Sequence, residues 1–214
     1  MMKTISSMLI ILTAFALLAG SPAKASGNNA WRFQVLLDGT AIGQHSFNVS
    51  TSNNQVLVKT NASFAVKFLG FTAYTYQHNN TERWQGACLN SISANTNDNG
   101  EQLIVNGTRQ GNNFALKTAD ANSTLPACLK SFAYWNLAHM KSPQLLNSQT
   151  GELMSVRLQA MGNDNIMAGG QFVPAKRYRL TGRNLQIDLW YSAQNRWLGL
   201  ESLKDGRRIR YVLQ

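Results

Sequence analysis

The sequence predicts an all-β (β-rich) fold of sandwich or barrel type. Three observations predict it. Apolar and polar side chains alternate over most of the chain, turn dipeptides separate the alternating runs, and only one segment departs from the two-residue period. Successive strand side chains point to opposite faces, so this alternation marks strands buried on one side. Roughly ten to twelve short strands fit, at the turn spacing of sandwiches and barrels.

The N-terminus precedes the fold. Lys3 stands before an apolar run from Met8 to Leu18, which Gly20, Ser21 and Pro22 break, and Ala23-Lys24-Ala25 is a small-x-small cleavage site. This is the layout of a signal peptide. Residues 1–25 are expected to be removed in export to the periplasm, leaving 26–214 as a single β-rich domain. No later run reaches the roughly 18 apolar residues of a membrane-spanning helix, so no transmembrane segment is expected after leader removal.

The strands follow in order. Trp31, Phe33, Val35 and Leu37 alternate with Arg32, Gln34 and Leu36, and Asp38-Gly39 reads as a hairpin turn. The return strand sets His45, Phe47 and Val49 on one face, and Asn53-Asn54 turns into a strand over 55–60. Phe64, Val66 and Phe68, then Thr72, Tyr74, Tyr76 and His78, form a long strand or a pair broken near Gly70. Turns are expected at Asn79-Asn80, Asn106-Gly107 and Gly111-Asn112, around strands at 81–87, 103–105 and 114–116. From Pro126 to Met140, the residues Leu129, Phe132, Ala133, Leu137 and Met140 recur at three or four, which predicts one main helix over 127–140. Ser123 or Thr124 would cap it, Pro126 suits its first turn, and Pro143 lies past its end. A turn at Thr150-Gly151 and a strand over 153–158 come next. Beyond Gly169-Gly170 the two-residue period returns, with Leu185, Ile187, Leu189 and Tyr191 on one face. A closing hairpin turns at Asp205-Gly206 and places Ile209, Tyr211 and Leu213 opposite Arg208 and Arg210.

Export also decides the cysteines. Cys88 and Cys128 are the only two, and an oxidising compartment lets them form a disulfide. The bridge would staple the 127–140 segment to the strand region before it.

The full chain carries a formal charge of +10. Removing Lys3 and Lys24 with the leader leaves 18 basic against 10 acidic residues, or +8. Residues 157–214 hold ten of the basic groups and four of the acidic ones. Such a surface suits anionic partners, and for an exported protein the envelope anions rank above nucleic acid, which is not expected as a partner. The plainer reading is solubility charge on the outer faces of strands.

Several motifs carry a resemblance. The opening Trp31-x-Phe33-x-Val35-x-Leu37-Asp38-Gly39-x-x-Ile42-Gly43 is similar to the start of a bacterial family of exported domains of unknown function. The segments Ser131-Phe132-Ala133-Tyr134-Trp135-Asn136, Gln149-Thr150-Gly151-Glu152, Lys176-Arg177-Tyr178-Arg179-Leu180, Asp188-Leu189-Trp190-Tyr191 and Ile209-Arg210-Tyr211 fit the same family. The resemblance implies a curved antiparallel sheet of half-barrel type around one main helix. That is similar to the periplasmic lipoprotein carriers in fold, which is only an analogy for function. It brings no activity and no catalytic residue.

Motifs for chemistry are missing. The sequence has no Gly-x-Ser-x-Gly, His-Glu-x-x-His, phosphate-binding glycine loop or Cys-x-x-Cys, and its three histidines stand apart at 45, 78 and 139. No catalytic residue, metal or cofactor is assigned, and the expectation is a protein that is not an enzyme. Aromatics on the apolar strand faces are either plain core or the wall of a cavity that one helix leaves unfilled. The cavity reading makes Phe33, His45, Phe47, Tyr74, Tyr76 and Trp84 the candidate ligand-binding residues. It predicts a binder of a hydrophobic or amphipathic envelope molecule, such as a lipid or other amphipathic anion, with basic groups at the rim. The alternative is a structural or assembly partner of other cell-envelope proteins.

Overall fold

A computed structural model describes residues 27–68, 70–204 and 206–214. The expected leader therefore lies outside the described residues. The N-terminal half is a run of consecutive hairpins: β1 (Gly27–Leu37), β2 (Thr40–Ser52), β3 (Gln55–Phe68), β4 (Phe71–Gln85), β5 (Cys88–Asp98), β6 (Glu101–Gln110), β7 (Asn113–Thr118) and β8 (Asn122–Pro126). A crossover segment carrying the single turn α1 (Leu137–Met140) leads to β9 (Gln144–Leu146). The second run is β10 (Leu153–Ala168), β11 (Gln171–Gly182), β12 (Leu185–Tyr191), β13 (Trp197–Lys204) and β14 (Arg207–Leu213). The two runs join where β1 pairs with β14, giving one 14-stranded sheet in the order β8 to β1, then β14 to β9. The ladders between these strands are antiparallel; parallel pairing is limited to two bridges, Ala168 with Leu213, where β10 curls back onto β14, and Ser131 with Leu146.

Local chemistry explains the turns. Asn53-Asn54, Asp38-Gly39 and Asn99-Gly100 all have positive φ, the backbone of tight hairpins that Asn, Asp and Gly tolerate. Two expected turns are corrected. Asn79-Asn80 lies inside β4 and Asn106-Gly107 inside β6. At Gly107 a Cβ would come within 2.3 Å of the Phe114 ring, so this glycine makes room for a core aromatic and does not turn the chain.

The helix expected over 127–140 is also corrected: only its last turn forms. The residues before it give their backbone groups to strands. The Leu89 amide donates to Leu129 O (3.0 Å), the Leu146 amide to Lys130 O (2.7 Å) and the Phe132 amide to Leu146 O (3.3 Å). Asn136 caps the short turn by accepting from the amides of Ala138 and His139. The three-to-four spacing arises because the segment threads the inside of the curved sheet. Leu129, Ala133, Leu137 and Met140 are all buried there.

That segment fills the concave face. It touches Trp84 through Trp135 and His139, and Trp197 and Tyr191 through Tyr134, in one core with Trp31, Phe33, Phe47, Leu180 and Leu189. The Cys88–Cys128 disulfide fastens its start to β5, with Cα atoms 4.7 Å apart. The bridge closes a loop of sequence separation 40, which on the chain-entropy account contributes about 4 kcal/mol. Replacing both cysteines by serine is expected to lower the unfolding free energy by about that amount. Urea denaturation followed by tryptophan fluorescence measures it, and an unchanged midpoint would contradict the account.

Candidate functional site

The cavity is built from the inward positions of three neighbouring strands. On β4 these are Tyr76, His78, Asn80, Glu82 and Trp84, every second residue. The register aligns Phe47, Thr60 and Asn80 in one row across β2, β3 and β4, and His45, Ala62 and His78 in the next. Ala62 is the small, buried member between two imidazoles. Phe132–Trp135 and Asn147–Gln149 of the crossover cover this floor, with Met154, Leu185 and Tyr211 at the sides. The cavity volume is about 270 Å³, and the cavity is open on one side.

Hydrogen bonds hold most of its polar groups. His45 Nδ1 lies 3.1 Å from the Tyr211 hydroxyl, and its ring stacks on Phe47 at 4.2 Å. His78 Nδ1 lies 2.8 Å from Thr96 Oγ1, and its Nε2 faces Ser148 Oγ at 3.4 Å. Tyr76 donates to Gln149 Oε1, whose amide nitrogen donates in turn to Asp98. The Glu82 carboxylate accepts from Asn80 Nδ2 (3.1 Å) and Trp84 Nε1 (3.0 Å).

Burial governs the charges. It drives His45 down to about 3, helped by nearby His78, and His78 down to about 4. It also pushes the Glu82 carboxyl up, against the lowering by its hydrogen-bond donors. Both imidazoles are thus neutral near pH 7. Among the described residues, no Lys or Arg lines the cavity. The basic groups expected at a rim are on the outer face instead. Arg208 and Arg210 pair with Glu201, Arg207 with Asp38, and Arg177 and Arg179 with Asp188. Those pairs occupy the cations that were to meet an anionic head.

Of the six residues expected to bind, His45, Phe47 and Tyr76 line the cavity. Three do not. Phe33 is fully buried against Trp197, with ring centroids 4.3 Å apart. Trp84 lies beneath Glu82, stacked on His139 at 4.4 Å. Tyr74 is further along β4, donating to Asp98 at 2.6 Å. The lining residues absent from that expectation are chiefly Thr60, His78, Asn80 and Glu82. For His78, Asn80 and Glu82 the signal is the even-numbered run on β4, hidden by reading Asn79-Asn80 as a turn; Thr60 enters as the β3 partner of Asn80.

Ser148, His78 and Thr96 form a hydroxyl–imidazole–hydroxyl chain. An acyl-transfer triad places a carboxylate where Thr96 stands, to stabilise the imidazolium. Thr96 supplies no charge, and burial already holds the His78 imidazole in its neutral form. Among the described residues, no group of three or more His, Cys, Asp or Glu could hold a metal ion. No helix among them is long and apolar enough to cross a membrane.

The histidines make stability depend on pH. Each buried imidazole has a folded pKa below its ordinary value, so the unfolded chain binds more protons between about pH 6.5 and 4. Their contribution is complete above about pH 6.5 and is lost as pH falls, by up to about 1.4 kcal/mol per pH unit for each imidazole. Urea midpoints at pH 7.5, 6.5 and 5 are expected to be level between the first two and lower at the third. The raised Glu82 carboxyl acts in the opposite sense, so the His78→Gln variant is the reference: a drop between pH 7.5 and 5 in that variant as large as in the unaltered protein would contradict the buried neutral histidine.

No curated protein matches the chain. Among solved structures it is similar to the crystal structure of a beta-barrel-like protein of the domain of unknown function DUF1849 from Brucella abortus. The TM-score is 0.63 at 7% identity, over 90% of this chain and 97% of that one, a likeness of fold. Residues 33–214 match the family described as Domain of unknown function (DUF6134), which places the curved sheet and its cavity inside the matched region. The chain belongs to that family.

Proposed function

We propose that the protein is a non-enzymatic binder of a small amphipathic molecule of the cell envelope, held in the cavity under the crossover segment. The observation that carries this reading is the two-sided lining. Phe47, Val58, Phe132, Met154 and Leu185 offer apolar surface, while His45, Thr60, His78 and Asn80 offer uncharged hydrogen-bonding groups. A cavity with mixed walls and a few convergent polar groups is the usual form of a small-molecule site. The envelope location rests on the leader-like N-terminus.

Size limits the ligand. At about 30 Å³ for each water-sized group, 270 Å³ holds about nine non-hydrogen atoms. A head group with a short chain fits, and the rest of a longer lipid would extend beyond the mouth. An anionic head finds no cation among the lining residues, so the reading favours a neutral amphiphile over an acidic one.

A series of straight-chain alcohols tests this by displacement of the neutral fluorescent probe N-phenyl-1-naphthylamine. Affinity is expected to rise about fourfold per added methylene, levelling near eight carbons. Binding independent of chain length, or no binding at micromolar probe, would favour the structural or assembly role over the binder.

A further inference from the structure

We propose that the outer face of β2–β6 is a second binding surface, for a neutral polyhydroxylated glycan strand. It lies on the other side of the sheet from the cavity and does not depend on the binding role proposed above. What the strand register lines up there carries the inference. Each strand turns alternate residues outward. The middle row across β2 to β6 is Ser46, Asn61, Asn79, Asn95 and Ile104. On one side of it run Gln44, Ser63, Gln77, Asn97 and Gln102. On the other run Asn48, Lys59, Thr81, Ser93 and Asn106. Of these fifteen side chains nine are carboxamides, four are hydroxyls and none is acidic.

Neither strand formation nor solubility accounts for this choice. Asparagine is among the residues that strands disfavour, yet β3, β4 and β5 set it side by side at 61, 79 and 95. All three are exposed. An exposed sheet face is ordinarily kept soluble by charges of both signs. Strands β11–β14 of the same sheet follow that rule, with Arg179 paired to Asp188 and Glu201 to Arg210 along one row. Strands β2–β6 do not.

Chemistry selects the occupant. Neighbouring side chains orient one another: Asn61 Nδ2 donates to Asn79 Oδ1, and Ser93 Oγ donates to Asn106 Oδ1 at 2.9 Å. Asn61 Oδ1 is left as an acceptor and the Asn79 amide nitrogen as a donor. A sugar hydroxyl both donates and accepts, so it pairs with either, and no charge has to leave water. Neighbouring strands lie about 4.8 Å apart, close to the advance of a β-1,4-linked glycan per ring. A chain crossing the strands therefore meets a carboxamide or hydroxyl at almost every step. Other partners fit less well. An anionic membrane or a nucleic acid needs clustered cations, and the three rows hold Lys59 alone. A protein partner needs an apolar centre, and the rows hold Ile104 alone.

The test titrates the isotope-labelled, disulfide-bonded protein with cellohexaose and with chitohexaose, read by NMR of the side-chain amide groups. Shifts are expected at the carboxamides of Asn61, Asn79 and Asn95 with at least one of the two glycans, and the affinity is expected to be the same at low and high salt. Asn61→Ala combined with Asn79→Ala is expected to weaken binding about tenfold or more, with alcohol binding in the cavity unchanged. No binding of either glycan at millimolar concentration, affinity that falls steeply with salt, or full affinity in the double variant would overturn the proposal. So would a concentration-dependent dimer that covers the same carboxamides, which would assign the face to a second copy of the chain. If the double variant fails to fold, the shift map of the unaltered protein decides alone. None of these outcomes bears on the cavity, which the alcohol series tests separately.

Discussion

A curved antiparallel sheet has a concave face that must be covered, and nearly every feature of this protein follows from how that is done. Fourteen strands laid out as consecutive hairpins supply the curved wall. No strand fills its interior. The chain between β8 and β10 turns inward, and its backbone is satisfied by β5 on one side and β9 on the other. A segment buried in this way must pair every amide and carbonyl, because an orphan inside the fold is costly. The Cys88–Cys128 bridge and the Leu89–Leu129 hydrogen bond lie side by side where the segment enters, so covalent and backbone constraints hold the same point.

The cavity is a product of that covering. Where large side chains meet, as Phe33, Phe47 and Trp197 do, the interior is solid. Beneath Phe132–Trp135 the sheet instead presents His45, Thr60, His78 and Asn80. Hydrophobic residues of similar volume at these positions would pack without unpaired groups. Buried polar groups destabilise unless satisfied, and here Asn80 Oδ1 and His45 Nε2 have no partner among the described residues. Polar groups kept beneath the crossover at a cost in stability fit the proposed binding role better than a purely structural one.

The strand architecture was legible because one-sided burial writes a period of two into the sequence, and the DG, NN and GG turns mark its breaks. The site was legible only in part. His45, Phe47 and Tyr76 show as aromatic positions on inward faces, whereas Phe33 and Trp84 carry the same signature and serve the core. Which inward aromatic meets empty space depends on the small residue next to it and on the crossover above, and neither is encoded locally. Asn80 and Gly107 were misread because Asn and Gly have two uses. Here they are a buried hydrogen-bonding group and a gap for the Phe114 ring. The helical spacing after Pro126 misled for a related reason: Leu129, Ala133, Leu137 and Met140 are buried by an irregular segment whose backbone pairs with β5 and β9.

The central claim is that the ligand site is the cavity over β2, β3 and β4. Heteronuclear NMR of the isotope-labelled protein titrated with 1-octanol tests it most directly. The account predicts intermolecular contacts to the side chains of Phe47 and Tyr76, with shifts at the Asn80 amide and the Trp135 indole. Contacts confined to the outer face of the sheet, or no perturbation at saturating alcohol, would contradict it.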